Sequence, residues 1–227
     1  MTVRFDTDGL MKQLAGLPYF KALDPPMLAR LAHGAVWREY ATGETVFLEG
    51  DTAPGLYYLA SGWLKVARSS LGGREQVLRY LGPGETFNEI GAFACRANPA
   101  TAIALEPAGV WLLQREAIAR LVREQPELAQ RIIETMADRV IELVNLVADL
   151  SLRSVTGRLA RLLLDEADGD VHHRPRWRTQ AELASRLGTV PDVVQRALRG
   201  LENDGAIEIL PRQILIRDRD TLEKLGG

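Results

Sequence analysis

A single cysteine, three histidines and no apolar run of membrane-spanning length set the first limits on this 227-residue chain. One sulfur, on Cys95, excludes an internal disulfide and any cluster or zinc site needing several thiolates from one chain. That usage fits a reducing cytoplasm. His33, His172 and His173 are too few and too scattered for a metal centre of clustered His and Glu ligands on strands. No stretch approaches the roughly 18–20 apolar residues that cross a bilayer, so no membrane association is expected. The start, "MTVRFDTDGLMKQLAG", carries acids and lacks an apolar core, so no secretory signal is expected either. Positive charge is not in surplus: the formal net charge is −2. A polyanion partner is then recognised by a basic stripe rather than a basic total. Arginine far outnumbers lysine, which reads as genome composition.

What is present falls into three textures. From about Val36 to Leu113, short apolar and aromatic runs such as "ETVFLEGD", "GLYYLASGWLKVARS" and "GVWLLQ" alternate with glycines. That pattern predicts many short strands in a sandwich or barrel. Ahead of it, "PPMLARLAHGA" reads as a short helix with prolines at its start. Between Pro126 and Leu152 there is no glycine and no internal proline, and Ile133, Met136, Val140, Leu143, Val147 and Leu150 recur at steps of 3, 4, 3, 4 and 3. This is a coiled-coil seam, with Arg139, Glu142 and Asp149 on charged flanks. A narrow seam buries little alone, and a two-fold homodimer is its simplest closure.

The third texture starts near Ser154 with the amphipathic "VTGRLARLLLDEA" and a loop, "DGDVHHRPRWR". Thr179 and Glu182 have the spacing of a capping box, and the short helix they open stops at Gly188. Pro191 sits in the first turn of the next helix, where its missing N–H is not required; Thr189 and Val190 compete as its cap. Two short helices on a glycine turn form a helix-turn-helix. The second helix carries Asp192, Gln195, Arg196 and Arg199 on one side and Val194, Ala197, Leu198 and Leu201 on the other. Such a polar stripe is either a solvated face or a reader of base edges in the major groove. In the second case Arg196 suits guanine, Gln195 adenine, and Asp192 accepts from cytosine or orients Arg196. Thr179, Gln180 and Arg199 lie nearer the phosphates, and Thr189 is counted with the DNA-binding residues. "AIEILPRQILIRD" adds two strands around a Pro-Arg turn, a wing offering Arg212 to the backbone.

This order resembles the CRP/FNR family of bacterial transcription regulators over nearly the whole chain. The matching stretches are "GETVFLEGD", "LYYLASGWLKV", "LGPGETFNEIGAF" and "PATA", then "TQAELASRLG" and "DVVQRALRGLE". The resemblance implies an α+β chain: a β-roll or double-stranded jelly-roll sensor over 1–125, a coiled-coil dimerisation helix over 126–152, and a winged helix-turn-helix over 153–227. It implies a cytoplasmic regulator, not an enzyme, with double-stranded DNA and a second copy as partners and RNA polymerase as a third that it allows. The family's Glu-x-x-Ser-Arg falls on Asp192, Gln195 and Arg196, and two of the three depart from it.

The effector pocket departs further. In cyclic-AMP-responsive relatives an acid in a Phe-Gly-Glu turn holds the ribose and an Arg-Ser/Thr-Ala step holds the phosphate. The resemblance sets Glu89 in the acid position, Asn88 in place of the glycine, and Gly91, Arg96, Asn98 and Thr101 around the pocket. The phosphate arginine falls on Asn98 and its hydroxyl neighbour on Pro99, while Arg96 is misplaced by two residues. No cyclic-AMP response and no other cofactor are expected. Haem stays open through His33, Cys95, Met11, Met27 or Met136, although His33 reads better as a packed or surface residue. His172 and His173, beside Arg174, Arg176 and Arg178, read as facing the DNA backbone rather than a metal. Two other classes compete: a cyclic-nucleotide-binding regulatory subunit would keep the arginine and need no wing, and a cupin-like metal-binding protein would need clustered histidines.

Overall fold

A computed structural model describes residues 7–21, 23–94 and 96–227; Cys95, weighed above as a haem ligand, lies outside them. The chain divides into two compact units. One comprises the residues up to Val66 with Tyr80–Glu142, the other Ala67–Arg79 with Leu143–Gly227.

Helices α1 (Thr7–Ala15) and α2 (Pro25–His33) precede strands β1 (Val36–Tyr40), β2 (Thr45–Phe47), β3 (Gly55–Ser61), β4 (Leu64–Ser69), β5 (Glu75–Leu81) and β6 (Thr86–Phe87). Helix α3 (Glu89–Ala94), strands β7 (Thr101–Ala104) and β8 (Ala108–Gln114) and helix α4 (Arg115–Glu124) follow. The strands form two sheets, in orders β1-β8-β3-β6 and β2-β7-β4-β5. The two central strands β3 and β8 are apolar on both faces, because each face meets a different core. Leu56, Tyr58, Trp111 and Leu113 pack under the helices with Leu10, Phe20 and Leu31. The alternating residues Tyr57, Leu59, Val110 and Leu112 pack inside the roll with Phe47 and Phe87. A period of two thus sorts one strand into two cores. Trp37 pairs across strands with Trp111, ring centroids 5.1 Å apart.

Helix α5 runs Pro126–Leu152, the limits read from the missing glycines. Its seam differs from expectation. Met136 packs with Leu128 and Ile132 against the sensor core. Leu150 is only half exposed, and its Cδ2 lies within 2.7 Å of where a Cβ on Gly188 would stand. The exposed large apolar positions of α5 are Ile133, Val140, Ile141, Leu143, Val144, Val147 and Leu152. Ile133, Val140, Val144 and Val147, with exposed Ala137 between the first two, keep steps of 4, 3, 4 and 3. Of the six residues read as the seam, Ile133, Val140, Leu143 and Val147 are thus exposed, and Met136 and Leu150 are half-buried.

The second unit holds α6 (Val155–Glu166), β9 (Val171–His173), α7 (Gln180–Leu187), α8 (Pro191–Asn203), β10 (Ile207–Leu210), β11 (Gln213–Ile216) and α9 (Arg219–Gly226). Leu159, Leu163, Leu183, Leu187, Val194, Leu198, Ile214 and Leu222 share one core. Segment 168–178, expected as a loop, contains a strand: β9 pairs antiparallel with β11 and makes the wing sheet three-stranded, β10-β11-β9. The end of α5 is tied down by α6. Arg158 Nη1 donates to the carbonyls of Arg153, Leu150 and Asp149 at 2.8, 3.3 and 3.5 Å. Terminal helix carbonyls have no partners within their own helix, and a cation there also opposes the negative end of the helix dipole. Arg153 Nε binds Asp149 Oδ1 at 2.7 Å in the same turn.

Candidate nucleic-acid interface

Helix α7 starts at Thr179, whose hydroxyl accepts from the Glu182 amide at 3.2 Å, and ends at Gly188 with φ +65. Only a residue at ease in left-handed backbone suits that turn. The open choice of cap for α8 resolves to Val190, which is extended and offers no side-chain acceptor. Relative to a Ser, Thr or Asp cap this forgoes about 0.5–2 kcal/mol.

α8 divides as its sequence divides. Val194, Ala197, Leu198 and Leu201 are buried, which at about 1.5–3 kcal/mol for each large side chain fixes the helix on the core. Asp192, Arg196 and Arg199 are exposed and Gln195 is half exposed. None of the four is drawn into an ion pair among the described residues. Thr179 and Arg212 are exposed, and Gln180 and Thr189 half exposed. The turn bearing Arg212 is anchored through its own carbonyl, which accepts from the Arg174 amide at 2.8 Å. Ile209 N donates to Glu202 Oε1 at 3.1 Å and ties the wing to the end of α8.

Beneath this surface lies a polar cluster that the sequence reading misplaced. His172, expected to face outward, is fully buried, and the reason is its place on β9. His173 next to it is exposed. Arg178 is also buried. It binds Glu166 through Nη1, lies over the Trp177 ring at 5.1 Å and brings Nη1 to 3.4 Å from His172 Nε2. Glu166 Oε2 stands 3.9 Å from His172 Nδ1, beyond hydrogen-bond reach. Burial, then the guanidiniums of Arg178 and Arg174, then His173, push the His172 pKa down to about 4.

An unfolded histidine titrates near 6.5, so between those values the unfolded chain binds the extra proton. Stability is therefore expected to fall as pH drops from about 6.5 to 4, by up to about 3 kcal/mol from this residue. Denaturant melts of wild type and His172→Gln across that range isolate the effect. A parallel decline in the two proteins refutes it.

In the sensor unit the residues assigned to the effector pocket separate into two groups. Asn88 takes φ 70, the only non-glycine with positive φ among the described residues, as its place in a glycine position requires. Glu89 Oε1 accepts from the Tyr19 hydroxyl at 3.3 Å and lies 3.5 Å from Thr86 Oγ1. Burial and then the Glu89 charge raise the Tyr19 pKa, so the phenol remains a donor. Arg139 points into the same region: burial would lower its pKa, but Glu142, Glu89 and Tyr19 outweigh that. Nothing in the residues around Tyr19 marks it as part of this site, and Arg139 reads in the sequence only as a flank of the seam. Gly91 is buried, and a Cβ there would come within 2.0 Å of Ala53 Cβ.

The second group faces the loop at 48–51. Asn98 is 2% exposed and its Nδ2 donates to Leu48 O at 3.2 Å. Its own N–H donates to Asp51 O, and its carbonyl accepts from Gly50 N, both at 2.9 Å. Thr101 Oγ1 accepts from Glu49 N at 3.0 Å. Arg96 is exposed, and His33 is exposed with Nδ1 2.8 Å from Ala29 O.

Comparison with known proteins gives these elements a common setting. The chain matches the model of the cyclic nucleotide-binding domain over residues 37–125 and that of the Crp-like helix-turn-helix domain over 157–225. It is 31% identical over 221 residues to the cyclic AMP receptor protein of Thermus thermophilus, covering 94% of this chain and 98% of that one. It is 28% identical over 217 residues to a CRP-like cAMP-activated global transcriptional regulator of Mycobacterium tuberculosis, covering 93% and 97%. The solved structure of FixK2 from Bradyrhizobium japonicum shares the fold, with TM-score 0.75 at 21% identity over 85% of this chain and 98% of that one. A sheet domain followed by a long helix and a helix-turn-helix, matched end to end by such relatives, places this chain in the CRP/FNR family of transcription regulators.

Proposed function

We propose that the protein is a cytoplasmic homodimer that binds a pseudo-palindromic operator and does not respond to cyclic AMP. Residues 1–125 are the sensor, 126–152 the pairing helix and 153–227 the reader. The observation that carries the DNA contact is the face of α8: Asp192, Gln195, Arg196 and Arg199 are accessible and, among the described residues, unpaired, while the opposite side is sealed in the core. Two such helices, one per protomer, enter successive major grooves about one helical turn apart. Thr179, Gln180, Thr189, Arg199 and Arg212 meet the backbone and set register. The exposed stripe on α5 supports the pairing. RNA polymerase is the partner through which a bound regulator of this kind would act on transcription.

The absence of a cyclic-AMP response is supported by the second group in the sensor. No arginine occurs between residues 97 and 101, and Asn98 is committed to the loop at 48–51. Pro99 has no amide hydrogen to donate. Hydrogen bonds to a charged group contribute about 1.5–3 kcal/mol each, so losing the guanidinium, the hydroxyl and the amide costs about a thousandfold or more in affinity. The two relatives compared above carry cyclic AMP in their names; for this chain the reading rests on Asn98 and Pro99.

A titration of the full-length protein against duplexes selected from a random pool, with and without cyclic AMP, tests both halves. Saturable binding with the same affinity in both arms is the expected result. Tightening by cyclic AMP refutes the second half, and failure to select any duplex refutes the first. Within the selected duplex, Arg196→Ala is expected to lose about 1–3 kcal/mol and to relax preference at one base pair per half-site. Unchanged preference removes Arg196 from base reading.

A further inference from the structure

The leading end of α8 is built unlike the other helix starts of its domain. Ser154, Thr179 and Asp218 each begin a helix by accepting a backbone N–H, from Gly157, Glu182 and Thr221. α8 begins on Val190, with φ −116, ψ 155 and no side-chain cap. Val190 is 47% exposed, and among the described residues 155–217 no other large apolar side chain is so exposed. Pro191 follows, also exposed and without an N–H. The helix therefore presents carbon at the tip, where Ser, Thr or Asp would cap it and a hydroxyl would also donate to a phosphate.

From this geometry we infer that Val190 and Pro191 form an apolar reader for the C5 methyl of a thymine. The inference rests on the reading that α8 enters the major groove, and it adds a base identity at one position. Among the four bases only thymine carries a carbon group on its major-groove edge. The two side chains suit that group because both are stiff: valine is restricted at χ1 and proline is a ring. Little freedom is lost when they touch a base. The exposure of Val190 excludes a core role, and its lack of oxygen excludes a capping role.

Deoxyuridine in place of a single thymine removes the methyl and nothing else. In a duplex selected by the full-length protein, one thymine per half-site is expected at which this exchange weakens binding about three- to fivefold, the weight of one buried methyl group. Exchange at the other thymines changes affinity less than twofold. Val190→Ser is expected to bind the thymine and uracil duplexes equally while melting at a higher temperature, because the cap is restored. Val190→Ile keeps the discrimination. A wild type indifferent to every exchange, or a Val190→Ser protein that still discriminates, overturns the assignment and leaves the contact of α8 with DNA standing. A wild type that selects no duplex overturns that contact as well.

Discussion

A glutamate at position 140 is expected to leave the protein monomeric and to cost it at least about a hundredfold in affinity for a duplex with two half-sites. Val140 is 58% exposed, and Val144, one turn on, is 60% exposed. With Ile133 and Val147 they form an apolar stripe that the chain's own core leaves uncovered. In a two-fold pair each substitution is made twice on a surface that faces itself, and an uncompensated buried ion costs several kcal/mol. Once the protomers part, the second reader no longer binds at the raised effective concentration of a tethered partner, a loss of about 10²–10⁴. The monomer keeps its fold because residue 140 supports no core, so thermal melts at low concentration guard against misfolding. A Val140→Glu protein with the mass of a pair in sedimentation means the stripe is not the pairing face.

Removing the buried guanidinium of Arg178 is expected to lower the stability of its domain. Arg178→Met strands Glu166 in a partly buried site without its counter-ion, and breaking one partner of such a pair costs about 3–5 kcal/mol. The neighbouring Trp177 ring loses its cation as well. Replacing both partners, Arg178→Met with Glu166→Leu, is expected to recover most of that loss, because an apolar pair leaves no stranded charge. Denaturant midpoints of the wild type, both single variants and the double variant measure the coupling. A loss below about 1 kcal/mol in Arg178→Met would mean that water already screens the pair. Arg178 immediately precedes Thr179, the cap of α7, so part of the loss should reach the affinity for DNA.

The elements legible in the sequence are those whose signals are local. α5 was readable because 27 residues without glycine or internal proline leave few alternatives. The turn from α7 to α8 was readable because Thr179, Gly188 and Pro191 each do what their backbone chemistry favours. Elements set by distant partners were not. β9 is three residues long and exists because Gln213–Leu215, some forty residues later, pair with it; alone, "VHH" has no strand period. Along α5, steps of 3, 4 and of 4, 3 both fit a heptad, so the spacing alone does not separate Met136 from Ala137 or Leu143 from Val144. Ile132 and Met136 pack on the sensor core, a contact made by residues far away in sequence, while Leu143 and Val144 are both exposed. Glu89 was legible by resemblance, whereas Tyr19, seventy residues earlier, was not, since a tyrosine in an apolar stretch does not announce its hydroxyl's partner. On α8 the charged residues announce themselves by type, whereas the exposure of Val190 is set by the fold and not by its own residue type.

The three carbonyls held by Arg158 have a mechanical consequence. With the last turn of α5 gripped by a side chain of α6, the junction is a welded elbow and not a swivel. A rotation of that turn would carry α6 with it, because moving one without the other breaks these hydrogen bonds.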